Sequence, residues 1–152
     1  MTTPALVIEV YGTPAPQGSK RHVGNGVMVE SSKKVKPWRE AVKWAALEAQ
    51  RSESYAYLSD APFDGPVAVN ITFRFARPKF HYRTGANSHL LRAQAPTYPA
   101  GRPDLDKCAR STLDALGEAG VFRDDAQVVV LGCMKGYADH QPPGAHITVS
   151  PL

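Results

Sequence analysis

The sequence has little cysteine and none of the common short motifs of metal or nucleotide chemistry. Its two thiols, Cys108 and Cys133, are too few for a disulfide framework or a cysteine zinc site. The five histidines show no HExxH or His-x₃-His spacing, so no zinc centre is predicted. There is no P-loop, GxGxxG or GxSxG motif, which leaves nucleotide cofactors and serine hydrolase chemistry without support.

Long hydrophobic runs are also missing. No apolar stretch approaches the roughly 18 residues of a membrane span, so we expect no membrane partner. The first ten residues lack a basic region followed by an apolar core, so we expect no signal peptide and a cytoplasmic location. A chain of 152 residues that is 43% hydrophobic and 21% charged predicts one globular domain over residues 1–152.

The positive charge is present but unevenly distributed. The net charge is +4, and residues 17–43 and 74–110 together contain 15 of the 18 Lys and Arg but 4 of the 14 Asp and Glu. Such segregation favours a polyanionic partner, although a solvated basic face is the alternative. The cations of the first segment that we expect to contact phosphate groups of such a partner are Lys20, Arg21, Lys33, Lys34 and Lys36.

Hydrophobic periodicity predicts an α+β fold. Apolar runs between turn residues predict five strands, at 5–12, 26–31, 66–77, 126–138 and 144–150. Helical spacing predicts one helix from Pro37 to Gln50 and another that begins after its N-cap, Asp104, and ends at Gly117 and Gly120. We expect a mixed sheet of four to five strands with two helices packed on it, and the continuous apolar run at 126–138 to be a central strand.

Residues 78–103 have no periodicity and are bounded by prolines. They contain cations, histidines and aromatic residues but no acidic residue. A stretch of this length without secondary structure is often functional or mobile. We predict a flexible basic loop in which Arg83 and Arg92 contact the polyanionic partner.

Two pairs of aspartates flank the second helix. Asp104 and Asp106 lie at its start, and Asp124 and Asp125 precede the next strand, although the sequence leaves open which end of the helix the second pair approaches. Converging carboxylates need a cation, and all-oxygen ligands suit Mg²⁺ or Mn²⁺. The alternative is a helix cap, a favourable helix-dipole charge and an ordinary turn. Asp114, within the helix, is expected to be solvated.

Three segments together resemble a known family. "GTPAPQGSKR", "RPDLDKCARSTLDAL" and "AGVFRDDAQVV" occur in the order found in RusA-type Holliday junction resolvases of phages and bacteria. The resemblance implies a RusA-like, Mg²⁺-dependent endonuclease, with Mn²⁺ as a possible substitute. It implies a homodimer that resolves four-way DNA junctions by paired symmetric nicks in recombination and repair. Its essential carboxylates would be Asp104, Asp106 and Asp125, with Asp124 beside them.

The chain departs from the family pattern at two positions. Lys107 stands where the family usually has asparagine, and Arg110 stands where it has a catalytically important lysine. Arginine can hold a phosphate but does not readily release a proton. Either Arg110 or Lys107 could face the metal site on the helix, and we favour Arg110 for the phosphate because it occupies the matching position. Lys107, like the cations named above, is expected to contact DNA. Two other functions stay open: a metal-dependent nuclease for forks, flaps or RNA, and a non-catalytic basic module that binds nucleic acid.

Overall fold

The computed structural model describes residues 5–18, 20–22, 24–26, 28–30, 33–52 and 62–152, with 20–22 and 28–30 described as backbone. The strands are β1 (Leu6–Tyr11), β2 (Lys20–His22), β3 (Met28–Glu30), β4 (Val67–Phe75), β5 (Val128–Tyr137) and β6 (Gly144–Pro151). The longer helices are α1 (Val35–Gln50) and α2 (Leu105–Glu118). Among the described residues, no helix is long and apolar enough to cross a membrane.

The principal sheet is mixed. Its strand order is β1-β6-β4-β5, in which β6 is antiparallel to both β1 and β4, and β4 is parallel to β5. The parallel pair requires a crossover, and α2 lies within it. The predicted α+β arrangement of a four-stranded mixed sheet with two helices is therefore confirmed. A separate antiparallel ribbon joins β2 to β3, and sequence periodicity did not predict β2.

The prediction that β5 is central is wrong, because β5 forms an edge of the sheet. Its apolar run is half-exposed rather than buried on both faces: Val129 is 60%, Val130 49%, Leu131 47% and Met134 48% exposed. A continuous apolar run is typical of a strand whose two faces are both covered by other layers, but an edge strand with partly exposed faces can contain the same run. Here β4 pairs with one side of β5 and no strand of the described residues pairs with the other.

The core lies between the sheet and the two helices. Alternate residues of β1, namely Leu6, Ile8 and Val10, are buried, as the period of a half-covered strand requires. Trp38 of α1 is also buried, and its indole N–H donates to the Thr112 hydroxyl of α2 over 3.1 Å. This hydrogen bond satisfies a buried polar group and fixes the two helices against each other.

The ends of α2 set the positions of the predicted carboxylates. Asp104 occupies the N-cap position, as predicted, but its side chain makes no capping hydrogen bond. The helix continues through Gly117 to Glu118, one residue beyond the first glycine predicted to end it. Gly120 then adopts a φ of +75°, a conformation that glycine accepts at little cost.

Candidate active site

A cavity of about 530 Å³ lies between α2 and the start of β5, and we call it the carboxylate cavity. Three carboxylates and one guanidinium project among apolar side chains. The lining residues are Leu105, Asp106, Ala109, Arg110, Leu113, Asp114, Asp125, Leu131 and Cys133. Among the predicted catalytic residues, Asp106, Arg110 and Asp125 are therefore brought together, whereas Asp104 does not line this cavity.

The helical contribution to the cavity follows from spacing. Asp106, Arg110 and Asp114 are four residues apart, which places them along one face of α2. The face therefore alternates acid, base and acid. Asp106 and Asp114 are separated along the helix axis by about 12 Å, at roughly 1.5 Å per residue. One ion cannot be held equally by both ends of this face, so the position of Asp125 along α2 is decisive.

Asp125 approaches the C-terminal half of α2. It begins the 3-10 turn Asp125–Gln127, and a Cβ placed on Gly117 would lie 3.5 Å from its Oδ1. This is an ordinary van der Waals distance, so the Asp125 carboxylate lies directly against Gly117 near the end of α2. Burial, and then the neighbouring charges of Asp114 and Asp124, raise the pKa of Asp125. The carboxylate thus lies in a site that favours a cation.

Asp124 has a local structural task. Its Oδ1 accepts a hydrogen bond from the backbone N–H of Ala126 over 2.8 Å, and Gln127 Oε1 accepts from the Asp124 N–H over 3.0 Å. This reciprocal pattern is a capping box. Asp124 does not line the carboxylate cavity; instead, it fixes the turn that directs Asp125 there.

Asp104 lies outside the cavity at the N-terminal end of α2. Its side chain is 56% exposed, and its Oδ2 is 3.6 Å from Lys107 Nζ. Lys135 of β5 donates to the carbonyls of Gly101 and Pro103 over 2.6 and 2.9 Å, which holds the chain immediately before Asp104. Sequence reasoning missed Lys135, because its partners are more than thirty residues away.

Asp114 is not the solvated residue that the sequence led us to expect. It is half-buried, lines the cavity and accepts a hydrogen bond from the Gln17 side-chain amide. Gln17 Oε1 in turn accepts from Arg39 Nη1 over 3.1 Å. The correction arises from tertiary structure: Gln17 and Asp114 are 97 residues apart, so helical spacing alone could not reveal the contact.

Residues 14–18, part of the first segment of the family resemblance, are attached along α2. The Ser111 hydroxyl donates to the Ala15 carbonyl over 2.7 Å, and the Gln17 N–H donates to the Lys107 carbonyl over 3.0 Å. Arg110 is exposed and lies against Gly18, where a Cβ would be 3.1 Å from its Nη1. This segment therefore forms one wall beside the charged face of α2.

The cations predicted to contact DNA have different environments. Lys33, Lys34 and Lys36 are exposed at the start of α1, where they are available to a polyanion. The backbone of Lys20 and Arg21 lies in β2, but their side chains are outside the described residues.

The basic loop 78–103 follows a defined path, while its flexibility stays a prediction. It contains 3-10 turns at Lys79–His81 and Gly85–Asn87 and an antiparallel bridge between Tyr82 and Leu91. Arg83 Nε donates to the Leu91 carbonyl over 3.2 Å, and Arg92 Nε donates to the Tyr82 carbonyl over 2.9 Å. Both arginines are exposed, so each combines a contact that shapes the loop with a surface positive charge.

The donor set of the cavity suits a magnesium ion that is completed by substrate. Within the described residues, no three Asp, Glu, His or Cys side chains are grouped closely enough to hold a metal by themselves. Mg²⁺ in phosphate chemistry usually takes one or two carboxylates, several waters and substrate phosphate oxygens. Asp125 with Asp114, or Asp106 near the other end, provides oxygen ligands of that kind.

Comparison with known proteins identifies the family of the chain. The family model for endodeoxyribonuclease RusA matches residues 11–150, nearly the whole chain. No curated protein matches the sequence. The matched region contains the carboxylate cavity, residues 14–18 and every described strand and helix except β1, of which it includes Tyr11 alone, and the last residue of β6. The chain belongs to the RusA endodeoxyribonuclease family.

Proposed function

We propose that the protein is a Mg²⁺-dependent endonuclease that resolves four-way DNA junctions in recombination and repair. The observation that carries the proposal is the convergence of Asp106, Arg110 and Asp125 on one cavity in a chain of this family. Such an enzyme acts where its DNA lies, in the cytoplasm of a bacterium or a phage-infected host. Mn²⁺ is expected to substitute for Mg²⁺, since both prefer oxygen ligands.

The side chains divide the work at the phosphate. A bound divalent cation would polarise the phosphodiester and lower the pKa of the attacking water. Asp125 and Asp106 are both proposed as cation ligands. Asp125, with Asp114 beside it as a further candidate, would hold a cation at the C-terminal half of α2, and Asp106 would hold one nearer the N-terminal end. Arg110 would bind the scissile phosphate and stabilise the charge that develops on it.

Asp104 and Asp124 have weaker geometric support. Asp104 is proposed as a ligand through the family resemblance, and its exposed carboxylate would have to leave Lys107 to reach a cation. Asp124 is proposed to act through the capping box that orients Asp125. In this proposal, the four predicted carboxylates do not all bind the cation at the same time.

DNA would be held by the surrounding cations. Lys33, Lys34 and Lys36 are exposed at the start of α1, and Arg83 and Arg92 are exposed in the acid-free basic loop. Lys107, on α2, is proposed to contact DNA when it is not paired with Asp104. Backbone contacts of this kind give affinity that falls steeply with salt. Selectivity must then come from the shape of the branched DNA.

A homodimer would account for two symmetric nicks, and the free edge of β5 supports one. An exposed, apolar edge strand pairs readily with another chain. Two copies of β5 related by a two-fold axis would pair along this edge and shield Val130 and Met134, which lie on the face opposite the cavity-lining Leu131 and are about half-exposed. Val130→Lys should lower the mass measured by light scattering from two chains to one.

The function is tested with synthetic DNA. A labelled four-way junction, a replication fork and a linear duplex are incubated with the wild type, Asp106→Asn and Glu48→Gln, with and without Mg²⁺. Glu48 is an exposed carboxylate of α1 that does not line the cavity, so its variant is the matched control.

Paired symmetric nicks in the junction that need Mg²⁺ and Asp106, but not Glu48, support the proposal. Preferential cleavage of forks would identify a different branched substrate. Binding without cleavage in either metal would contradict an enzymatic function.

A further inference from the structure

A second cavity of about 330 Å³ lies beside the carboxylate cavity, and we call it the aromatic cavity. It is formed by the end of β4, the two ends of the basic loop and β5. Its lining has aromatic rings, three prolines and two cations but no carboxylate. The rings and cations that line it are Phe75, Phe80, His81, Tyr137, Arg102 and Lys135.

The aromatic rings that line this cavity are held by contacts with Arg77 and with one another. Arg77 lies over the Tyr137 ring at 4.1 Å from its centroid and forms an ion pair with Asp139 at 2.6 Å. Tyr137 meets the buried His81 ring edge to face at 5.4 Å, and His81 meets Phe80 in the same way at 4.8 Å. Phe80, at the end of this ladder, is 73% exposed. An apolar ring is thus held at the surface in a set orientation.

The chemistry of this cavity selects a flat, apolar and anionic ligand. Its volume is near the lower end of small-molecule sites, which are roughly 300 to 1,000 Å³. Aromatic faces stack on nucleobases of any sequence, and nearby arginine or lysine attracts the attached phosphate. The absence of carboxylates from the described lining removes repulsion of that phosphate. A single nucleotide combines all these features.

The two cavities are neighbours along β5. Cys133 lines the carboxylate cavity and Lys135 lines the aromatic cavity, and residues two apart in a strand lie on one face about 7 Å from each other. Pro103, which lines the aromatic cavity, directly precedes Asp104. A DNA strand with a phosphate in the first cavity would therefore present an adjoining nucleotide to the second.

We propose that the aromatic cavity receives an unstacked nucleobase from the branch point of the DNA, with Phe80 as its stacking platform. The inference rests on the proposed function and gives a physical source for its selectivity. A base in an intact duplex must be unpaired and unstacked before it enters such a cavity, whereas a base at a branch point has lost part of these contacts already. Duplex DNA is therefore disfavoured at the same site.

The test pairs a protein change with a DNA change. Binding is measured in EDTA, to prevent cleavage, on an intact junction and on junctions with a single abasic site at each position flanking the branch point in turn. The proteins are the wild type, Phe80→Ala, Phe80→Trp and Tyr98→Ala. Tyr98 is the matched control, because it is 66% exposed in the same loop but does not line the cavity.

We expect one abasic position to weaken wild-type binding roughly 5- to 100-fold, the range for loss of one stacked base. Phe80→Ala should lose a similar factor on the intact junction and be insensitive to that abasic site. Phe80→Trp and Tyr98→Ala should discriminate as the wild type does. Since Phe80 is largely exposed, its substitution leaves the core unchanged.

Wild-type binding that no abasic position weakens, or discrimination that persists in Phe80→Ala, would overturn the inference and leave the proposed function standing. Failure of the wild type to prefer junction over duplex and to cleave it in Mg²⁺ would overturn both.

Discussion

The two ends of α2 hold carboxylates in contrasting ways. At the N-terminal end, Asp104 is exposed and already has a cation of the chain beside it, Lys107. At the C-terminal half, Asp125 is also exposed, but partial burial of its carboxyl group and the charges of Asp114 and Asp124 raise its pKa. The first carboxylate is electrostatically compensated, whereas the second favours a cation from outside. The position of an aspartate in the sequence motif therefore does not show which carboxylate is best placed to bind a metal cation.

The largest expected effect is on cleavage by Asp125→Asn. The amide keeps the shape of the side chain but removes the charge that would hold the cation. We expect single-turnover cleavage of a four-way junction to fall by roughly 10³-fold or more, the scale on which removal of essential catalytic groups acts. Circular dichroism should show an unchanged fold. Retention of cleavage within tenfold would remove Asp125 from the site.

Arg110 and Lys107 provide the next comparison, because one cation lines the cavity and the other lies outside it. We expect Arg110→Ala to lower the cleavage rate by about 10²- to 10³-fold, as for loss of a group that stabilises transition-state charge. Arg110→Lys should recover part of the loss. Lys107→Ala should chiefly weaken DNA binding, measured by fluorescence anisotropy. The reverse ranking in single-turnover rates would reassign the phosphate contact to Lys107.

Asp114→Asn tests whether the C-terminal carboxylates act together. Asparagine can still accept the hydrogen bond from Gln17, so packing is preserved while the charge is lost. We expect Mn²⁺ affinity, measured by electron paramagnetic resonance, to fall roughly 10- to 100-fold, the scale of ligand and supporting-residue substitutions. Glu48→Gln is the control. Equal Mn²⁺ affinity in both variants would show that Asp114 has a structural role alone.

Lys107→Met tests the N-terminal end of α2, where Lys107 is paired with Asp104. Removal of the ammonium leaves Asp104 without its ion pair and strengthens the negative potential near the start of α2. We expect Mn²⁺ affinity to rise by a few-fold, since one unit charge at about 4 Å contributes roughly 1 kcal/mol in water. Unchanged or weaker Mn²⁺ binding would indicate that Asp104 lies too far from the ion to affect it.

The smallest effect is on the stability of the metal-free protein. Because the folded-state pKa of Asp125 is raised, ionisation of this group opposes folding, and its unfavourable contribution is complete above the raised value and absent below the ordinary value of 3.8. Asp125→Asn should therefore raise Tm slightly at pH 7, with no gain below pH 3.8. Asp104→Asn should give no gain. An identical Tm response in the two variants would contradict the contrast between the two ends.

The local part of the site was predictable from sequence. The spacing of Asp106 and Arg110 places both on one face of a helix, and the alternation in β4 indicates a half-buried strand. The four-residue spacing also includes Asp114. An acidic residue within a helix is usually solvated, so the sequence did not indicate that Asp114 lines the cavity.

The non-local part was not predictable. The position of β5 at the sheet edge depends on parallel pairing with β4, and a hydrophobic run does not reveal its neighbours. The approach of Asp125 to Gly117 depends on the turn that follows Gly120, and the support of Asp114 comes from Gln17, 97 residues away. Each of these is a tertiary contact without a local sequence signal.

The measurement that tests the account most directly is Mn²⁺ binding by the wild type, Asp125→Asn and Glu48→Gln, followed by electron paramagnetic resonance with junction DNA present. Manganese bound by the DNA alone is subtracted. The account predicts a protein-dependent Mn²⁺ site in the wild type and Glu48→Gln that is lost in Asp125→Asn. An equal amount of protein-dependent Mn²⁺ in all three would contradict the carboxylate cavity as the metal centre.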